Sequence, residues 1–134
     1  MSKLFVDSSY LIAIALNNDS NTKKALQLKE LLLSEECYIS DKVINEVITV
    51  VNTRGNYNLA VTVYHYMVDN FKILNEYEIS DYNEKIIQIF EKFEGNLSYT
   101  DSAIILLMLE FGIENLLSFD HGFKREGRIN VIGI

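Results

Sequence analysis

The sequence predicts an α/β fold, a three-layer α/β/α sandwich around a central, mostly parallel sheet. Short apolar, β-rich runs alternate along the chain with longer segments of helical periodicity, the pattern of successive βα units. Hydrophobic residues make up 49% of the 134 residues, enough for one sizeable core. Proline is absent and glycine is sparse, so no interdomain linker is evident. We therefore expect a single domain over residues 1–134.

Five short apolar runs are predicted as strands, at residues 3–6, 37–40, 71–74, 116–119 and 129–132. Six segments with apolar residues at helical spacing are predicted as helices, at residues 8–16, 22–34, 41–53, 59–68, 81–93 and 98–111. The first residue of the third helix, Asp41, is interpreted as its N-cap. The last helix is apolar almost all round, which indicates burial on every side. The order of elements places helices on both faces of the sheet.

The composition excludes several classes of protein. Twelve Lys and Arg face nineteen Asp and Glu, and the net charge of -7 argues against a surface that grips nucleic acid everywhere by charge. The single Cys37 excludes an internal disulfide and a thiolate zinc cluster. The N-terminal apolar run is short and broken by Asp7, unlike a signal peptide or a membrane span. We expect a soluble cytoplasmic protein without membrane association.

Acidic residues directly follow two of the predicted strands. Asp7 comes after the first strand, and Asp120 comes after the fourth. Since the carboxyl ends of parallel strands share one edge, where ligands bind in such sheets, both side chains should project there. Each is equally consistent with a helix N-cap or a turn Asp.

Two further acids are brought towards that edge by helices. Asp101 opens the buried helix, although the spacing from Ser98 also resembles a capping box. Glu46 falls on the flank of an apolar stripe centred near Ile44 and Val47, and the alternative is an ordinary solvated glutamate. Together with Asp7, these acids could converge on one cleft.

Four carboxylates crowded into one cleft would not all stay ionised without a counter-charge, because like charges raise one another's pKa. A hard divalent cation supplies that charge, takes oxygen ligands and keeps waters for substrate phosphates. A carboxylate cluster without His or Cys indicates Mg²⁺ or Mn²⁺ rather than Zn²⁺. The associated chemistry is phosphoryl transfer or phosphodiester hydrolysis by a metal-activated water.

Four segments of the chain, spread over residues 4–123, resemble the motifs of PIN-domain ribonucleases and occur in the family's order. They are Phe5-Val6-Asp7-Ser8-Ser9-Tyr10-Leu11-Ile12-Ala13, Ser40-Asp41-Lys42-Val43-Ile44-Asn45-Glu46-Val47, Ser98-Tyr99-Thr100-Asp101-Ser102-Ala103 and Leu117-Ser118-Phe119-Asp120-His121-Gly122-Phe123. The short single-domain length further resembles VapC-type toxins of toxin–antitoxin pairs.

This resemblance implies an endoribonuclease that hydrolyses RNA phosphodiesters with one or two Mg²⁺ or Mn²⁺ ions. It also implies the toxin of a VapBC-type pair, a homodimer and inhibition by a small antitoxin protein. It assigns the catalytic and metal-binding roles to four acids, Asp7, Glu46, Asp101 and Asp120, and a supporting role to Ser9.

Three alternatives stay open at this point. They are an RNA-processing PIN nuclease that is not a toxin, a catalytically silent PIN-like binding module and a Mg²⁺-dependent phosphatase. The dehalogenase-type phosphatases expect a second Asp two residues after the first, where this chain has Ser9. Intact acids argue against a silent module.

RNA would still require positive charge near the cleft. The candidate substrate-binding cations, each also consistent with a solvated charge, are Lys42, Arg54, Lys124, Arg125 and Arg128. Three tyrosines lie in or near the fourth predicted helix, namely Tyr57, Tyr64 and Tyr66. Aromatic side chains can stack on unpaired bases, but we favour an interface or core role here because apolar residues share the segment.

Overall fold

The computed structural model describes residues 2–134, and five strands form one sheet within them. The strands are β1 (Lys3–Val6), β2 (Glu36–Ser40), β3 (Lys72–Leu74), β4 (Asn115–Leu117) and β5 (Asn130–Ile132). They lie in the order β3-β2-β1-β4-β5, and every pair of neighbours is parallel. The predicted parallel sheet is confirmed, and β1 lies at its centre.

Seven α-helices accompany the sheet in the same residues. They are α1 (Ser8–Ala15), α2 (Thr22–Gln27), α3 (Lys29–Ser34), α4 (Asp41–Arg54), α5 (Tyr57–Asn70), α6 (Tyr82–Lys92) and α7 (Tyr99–Glu110). Helices α1, α4 and α5 pack side by side, while α6 packs on α7. The chain winds outward from β1 to β3 and then returns past β1 to β4. Right-handed crossovers therefore place these two groups on opposite faces, as in the predicted sandwich.

The point at which the strand order reverses also locates the edge of the sheet where a ligand would bind. Strand β1 pairs with β2 on one side and with β4 on the other. In open parallel sheets, a crevice forms outside the carboxyl ends of the strands where the order reverses, because the two connections leave in opposite directions. The residues that follow Val6 and Leu117 stand at this point.

Two local predictions are wrong. The helix predicted over 22–34 is two short helices that break at Leu28, whose φ and ψ are -95° and 1°. The carbonyl of Ala25 accepts both the Leu28 N–H and the Tyr10 hydroxyl, so a tertiary contact lies at the break. Asp41 is not the N-cap of α4, because β2 runs through Ser40 and Ser40 holds that position.

Helix α7 and strand β1 form the centre of the core. Leu4, Phe5 and Val6 are at most 1% exposed, the continuous apolar pattern of a strand covered on both faces. In α7, six successive residues from Ala103 to Met108 are buried, which confirms the expectation from its sequence. A membrane span would need a longer apolar helix than any found in residues 2–134.

Replacing Leu107 with alanine should lower the free energy of unfolding by about 2–5 kcal/mol, since the side chain is fully buried and its loss leaves a cavity. Urea unfolding followed by circular dichroism measures the change. Leu33→Ala is the matched control, because Leu33 is 82% exposed and its loss should have little effect. Equal losses in the two variants would contradict a core organised around α7.

Candidate functional site

A cleft of about 770 Å³ opens at the carboxyl ends of β1 and β4, and all four predicted acids line it. Asp7 follows β1, Asp120 follows β4, Asp101 lies in the first turn of α7, and Glu46 lies on α4. The structure thus brings together side chains that are far apart in sequence. Their chemical roles stay predictions.

The carboxylate of Asp7 is buried and held by two hydroxyl groups. Ser9 Oγ and Ser118 Oγ each donate a hydrogen bond to Asp7 Oδ2 at 2.8 Å. These hydroxyls are fixed in turn, because Ser9 Oγ accepts the N–H of Phe119 and Ser118 Oγ accepts the N–H of Asp120, both at 3.0 Å. Asp7 occupies the N-cap position of α1 but makes no side-chain capping bond. The N-cap interpretation of Asp7 therefore does not account for its carboxylate.

Asp120 and Asp101 each combine a local backbone role with a place in the cleft. Asp120 Oδ1 accepts the N–H of Gly122 at 2.9 Å at the start of a short 3₁₀ turn, so the turn interpretation holds for that oxygen. Asp101 donates its N–H to Ser98 Oγ at 3.0 Å, which is one half of the predicted capping box. The bond through the Asp101 backbone leaves its carboxylate facing the cleft.

Glu46 is exposed but anchored. Ser8 Oγ, at the start of α1, donates to Glu46 Oε2 at 2.8 Å. This bond spans two packed helices and holds the carboxylate at the wall of the cleft. Glu46 is therefore more than a freely solvated helix residue.

Burial and mutual repulsion disfavour the charged forms of two of these acids. Burial raises the pKa of Asp7, and the charge of Glu46 adds to the effect, while the hydroxyls of Ser118 and Ser9 oppose it. Burial also raises the pKa of Asp101 to about 7, reinforced by the charges of Asp7 and Asp120. The expected repulsion among the acids is present, although desolvation is the larger cause.

The donor set suits a hard divalent cation. It consists of carboxylate oxygens without His or Cys, and a cation would balance the charges of Asp7 and Asp120 that, after burial, raise the pKa of Asp101. Within residues 2–134, no three His, Cys, Asp or Glu side chains stand in a ready-made ligand cluster. The residues therefore fit such an ion by chemistry and by location, and ligation would require the side chains to draw closer.

The predicted cations divide into two groups. Lys42 and Arg54, on α4, line the cleft. Lys124 and Arg125 are exposed on the 3₁₀ turn after Asp120, outside the lining of the cleft. Arg128 is also outside it and makes two 2.8 Å bonds to the carboxylate of Glu126.

The three tyrosines do not enter the core. Tyr57, Tyr64 and Tyr66 are 71%, 42% and 41% exposed on α5. Burial of α5 instead involves Ala60 and Met67, on a different stripe of the helix. A core role for these tyrosines is thus wrong, and the interface role stays a prediction.

Three residues that bond to the acids or to Arg54 of the site were not singled out from the sequence. Ser8 and Ser118 hold Glu46 and Asp7, and Asp19 pairs with Arg54 in the wall of the cleft. A serine directly after an apolar strand is a usable signal for Ser118. The other two depend on packing between helices, which local sequence does not show.

The fold is similar to those of several solved structures. The chain superposes on VapC20 of Mycobacterium tuberculosis, a toxin that cleaves the sarcin–ricin loop, with a TM-score of 0.79 and 23% identity over 92% of this chain and 95% of that one. It also superposes on DNA-bound VapBC from Salmonella typhimurium with a TM-score of 0.71 and 15% identity over 98% of each chain. VapBC2 from Rickettsia felis, bound to a promoter DNA fragment, gives 0.71 at 12% identity over 97% of each.

The all-parallel sheet and its two helical layers define a PIN-domain α/β/α fold. Within that class, the solved structures that it resembles over nearly its whole length include a VapC toxin and VapBC complexes. No protein-family model matches the sequence, and no curated protein is significantly similar to it. At these identities the likeness establishes the fold, and it confirms at that level the resemblance seen in the motifs.

The raised pKa of Asp101 makes stability depend on pH. Because the folded pKa is about 7 against an ordinary 3.8, the folded state binds this proton more tightly. The resulting stabilisation is fully present below about pH 4 and is lost as the pH rises through about 7. Asp7, whose pKa is also raised, acts in the same direction.

We expect Asp101→Asn to remove this component, so that the variant gains stability relative to the wild type as the pH rises from 4 to 8. Urea midpoints measured in EDTA at successive pH values test it. Asp69→Asn, at an exposed position of α5, is the matched control. A difference between Asp101→Asn and wild type that is the same at every pH would contradict the assignment.

Proposed function

We propose that this protein is an endoribonuclease that hydrolyses RNA phosphodiesters with Mg²⁺ or Mn²⁺, and that it acts as the toxin of a toxin–antitoxin pair. The observation that carries the proposal is the convergence of four carboxylates on one cleft at the reversal point of the sheet. The similarity in fold to VapC toxins, one of which cleaves the sarcin–ricin loop, supports both the nuclease activity and the toxin role.

In this proposal Asp7 and Asp101 are direct ligands of one or two ions, and Glu46 and Asp120 bind directly or through water. When bound, the metal supplies an activated water and neutralises charge on the phosphate. The chain keeps its acids in place for that task. Ser9 and Ser118 fix one oxygen of Asp7, since both of their hydroxyls bond to Oδ2 rather than to Oδ1.

Substrate binding is proposed to be local. The four acids account for more than half of the net charge of -7, so much of the acidity that disfavours nucleic acid belongs to the proposed metal site. Lys42 and Arg54 line the same cleft and would contact RNA phosphates. Lys124 and Arg125 would reach only RNA that extends outside the cleft.

The partners are proposed from the same charges and from the neighbouring structures. A small antitoxin protein with a basic segment would complement the acidic cleft, and the structures that resemble this chain include VapBC complexes. We further propose a homodimer and a cytoplasmic location, and that residues 1–134 act as one domain.

Replacing Asp7 with asparagine should lower the rate of RNA cleavage by more than about 100-fold, the upper end of the losses seen for outer-shell partners of metal ligands. Asparagine keeps an oxygen that accepts from Ser9 and Ser118, so folding should persist. The assay is cleavage of a mixed single-stranded RNA pool in Mg²⁺ or Mn²⁺, with an EDTA arm that should show no cleavage.

The control for Asp7 is Asp69→Asn, which should cleave like the wild type. The toxin role is tested separately, since induced expression of the wild type in bacteria should arrest growth and expression of Asp7→Asn should not. Wild-type cleavage by Asp7→Asn would overturn the site assignment. Release of phosphate from small phosphomonoesters without RNA cleavage would favour the phosphatase.

Replacing Ser118 with alanine should reduce activity by about 10–100-fold and raise the Mg²⁺ concentration needed for half-maximal cleavage. The variant loses a donor to Asp7 and the acceptor of the Asp120 N–H. Magnesium titrations of cleavage measure both effects, and urea unfolding checks that the protein is folded. Ser34→Ala, which removes a hydroxyl bonded only within α3, should leave the titration unchanged. An unaltered Mg²⁺ requirement in Ser118→Ala would rule out a positioning role.

A further inference from the structure

The cleft extends beyond the acids to the far end of α4. Arg54 is the last residue of this helix and lies eight residues after Glu46, about 12 Å along the axis at 1.5 Å per residue. Both residues line the same cleft. Arg54 thus lies along the same groove, about two helical turns from the acids.

The guanidinium of Arg54 is engaged by Asp19. Arg54 Nη1 donates to Asp19 Oδ2 at 3.0 Å, and Asp19 also lines the cleft. Asp19 lies between α1 and α2, where its other oxygen accepts the N–H of Asn21 at 2.9 Å. The carboxylate is therefore held locally and 14% exposed, while the arginine side chain reaches it from α4 and is 42% exposed.

This ion pair is suited to exchange of partners. Because the arginine is 42% exposed, solvent screens the pair from that side, and ordering its long side chain costs entropy, so the contribution to stability is modest. Asp19 engages one guanidinium nitrogen of a group that carries five N–H donors. An RNA phosphate, which accepts in a bidentate manner, forms the stronger bond to the same group.

We infer that Arg54 forms a phosphate subsite for RNA beyond the cleaved bond, and that Asp19 acts as a latch that competes with RNA for it. The inference rests on the proposed function and deepens it. Without RNA, Asp19 balances the positive charge of Arg54, so this end of the groove offers a phosphate no net attraction. When a strand long enough to reach the end of α4 binds, its phosphate displaces the carboxylate.

Asp19→Asn should tighten the binding of single-stranded RNA by about two- to fivefold, the range of one solvent-screened ion pair. The measurement is fluorescence anisotropy of labelled RNA in EDTA, where binding is separated from metal-dependent cleavage.

The matched control is Glu110→Gln, which removes the same charge and breaks the exposed Lys85–Glu110 pair, outside this cleft. It should leave RNA affinity near that of the wild type. Arg54→Gln should weaken binding, and adding Asp19→Asn to Arg54→Gln should give no further gain.

Three other outcomes would each overturn part or all of the proposal. Equal effects of Asp19→Asn and Glu110→Gln would overturn the latch and leave the nuclease proposal intact. A gain from Asp19→Asn that persists with Arg54→Gln would reduce the effect to general charge and overturn the subsite. If neither the wild type nor any variant binds RNA, the inference falls together with the proposed function.

Discussion

The buried carboxylate of Asp7 is the feature on which the arrangement of the site depends. It follows the central strand, where both faces of the sheet are covered, and it is only 4% exposed, so water alone does not satisfy its oxygens. The protein must provide the donors, and Ser9 and Ser118 do so. The hydroxyl of Ser118 also accepts the N–H of Asp120. Satisfying one buried acid thereby fixes the backbone position of a second.

Asp101 also needs a fixed position, and helix α7 provides it. An acid in the wall of a cleft must be carried by an element that does not move, and α7 is fixed because its apolar surface is buried all round. Asp101 lies in its first turn, where the helix dipole favours negative charge. Burial and the neighbouring acids nonetheless raise its pKa to about 7. The core therefore stabilises an arrangement of charges that is unfavourable by itself, as is common where ionisable groups are collected for function.

Much of the fold and of the site was predictable from the sequence, because both follow from hydrophobic periodicity and parallel-sheet geometry. The alternation of short apolar runs with helical segments predicted the three layers. The positions of Asp7 and Asp120 directly after strands predicted that both lie at one edge of the sheet. The break at Leu28 was not predictable, since it coincides with a hydrogen bond from Tyr10 that exists only after folding. Likewise, Ser8 meets Glu46 only because α1 packs on α4.

Closeness to Asp120 in the sequence did not predict which cations line the cleft. Lys124 and Arg125 follow Asp120 closely, yet the 3₁₀ turn carries them away from the cleft, whereas Lys42 and Arg54 reach it along α4.

The distribution of charge along the cleft indicates how an acidic protein can act on a polyanion. Its lining holds five carboxylates and two cations, so the cleft as a whole repels RNA. In the proposed mechanism, attraction would depend on a metal at one end and on Arg54 at the other, where Asp19 balances the charge of Arg54 until a phosphate replaces it. Affinity would then be limited to strands that satisfy both ends, which confines binding to one groove and leaves the rest of the acidic surface without a role in holding RNA.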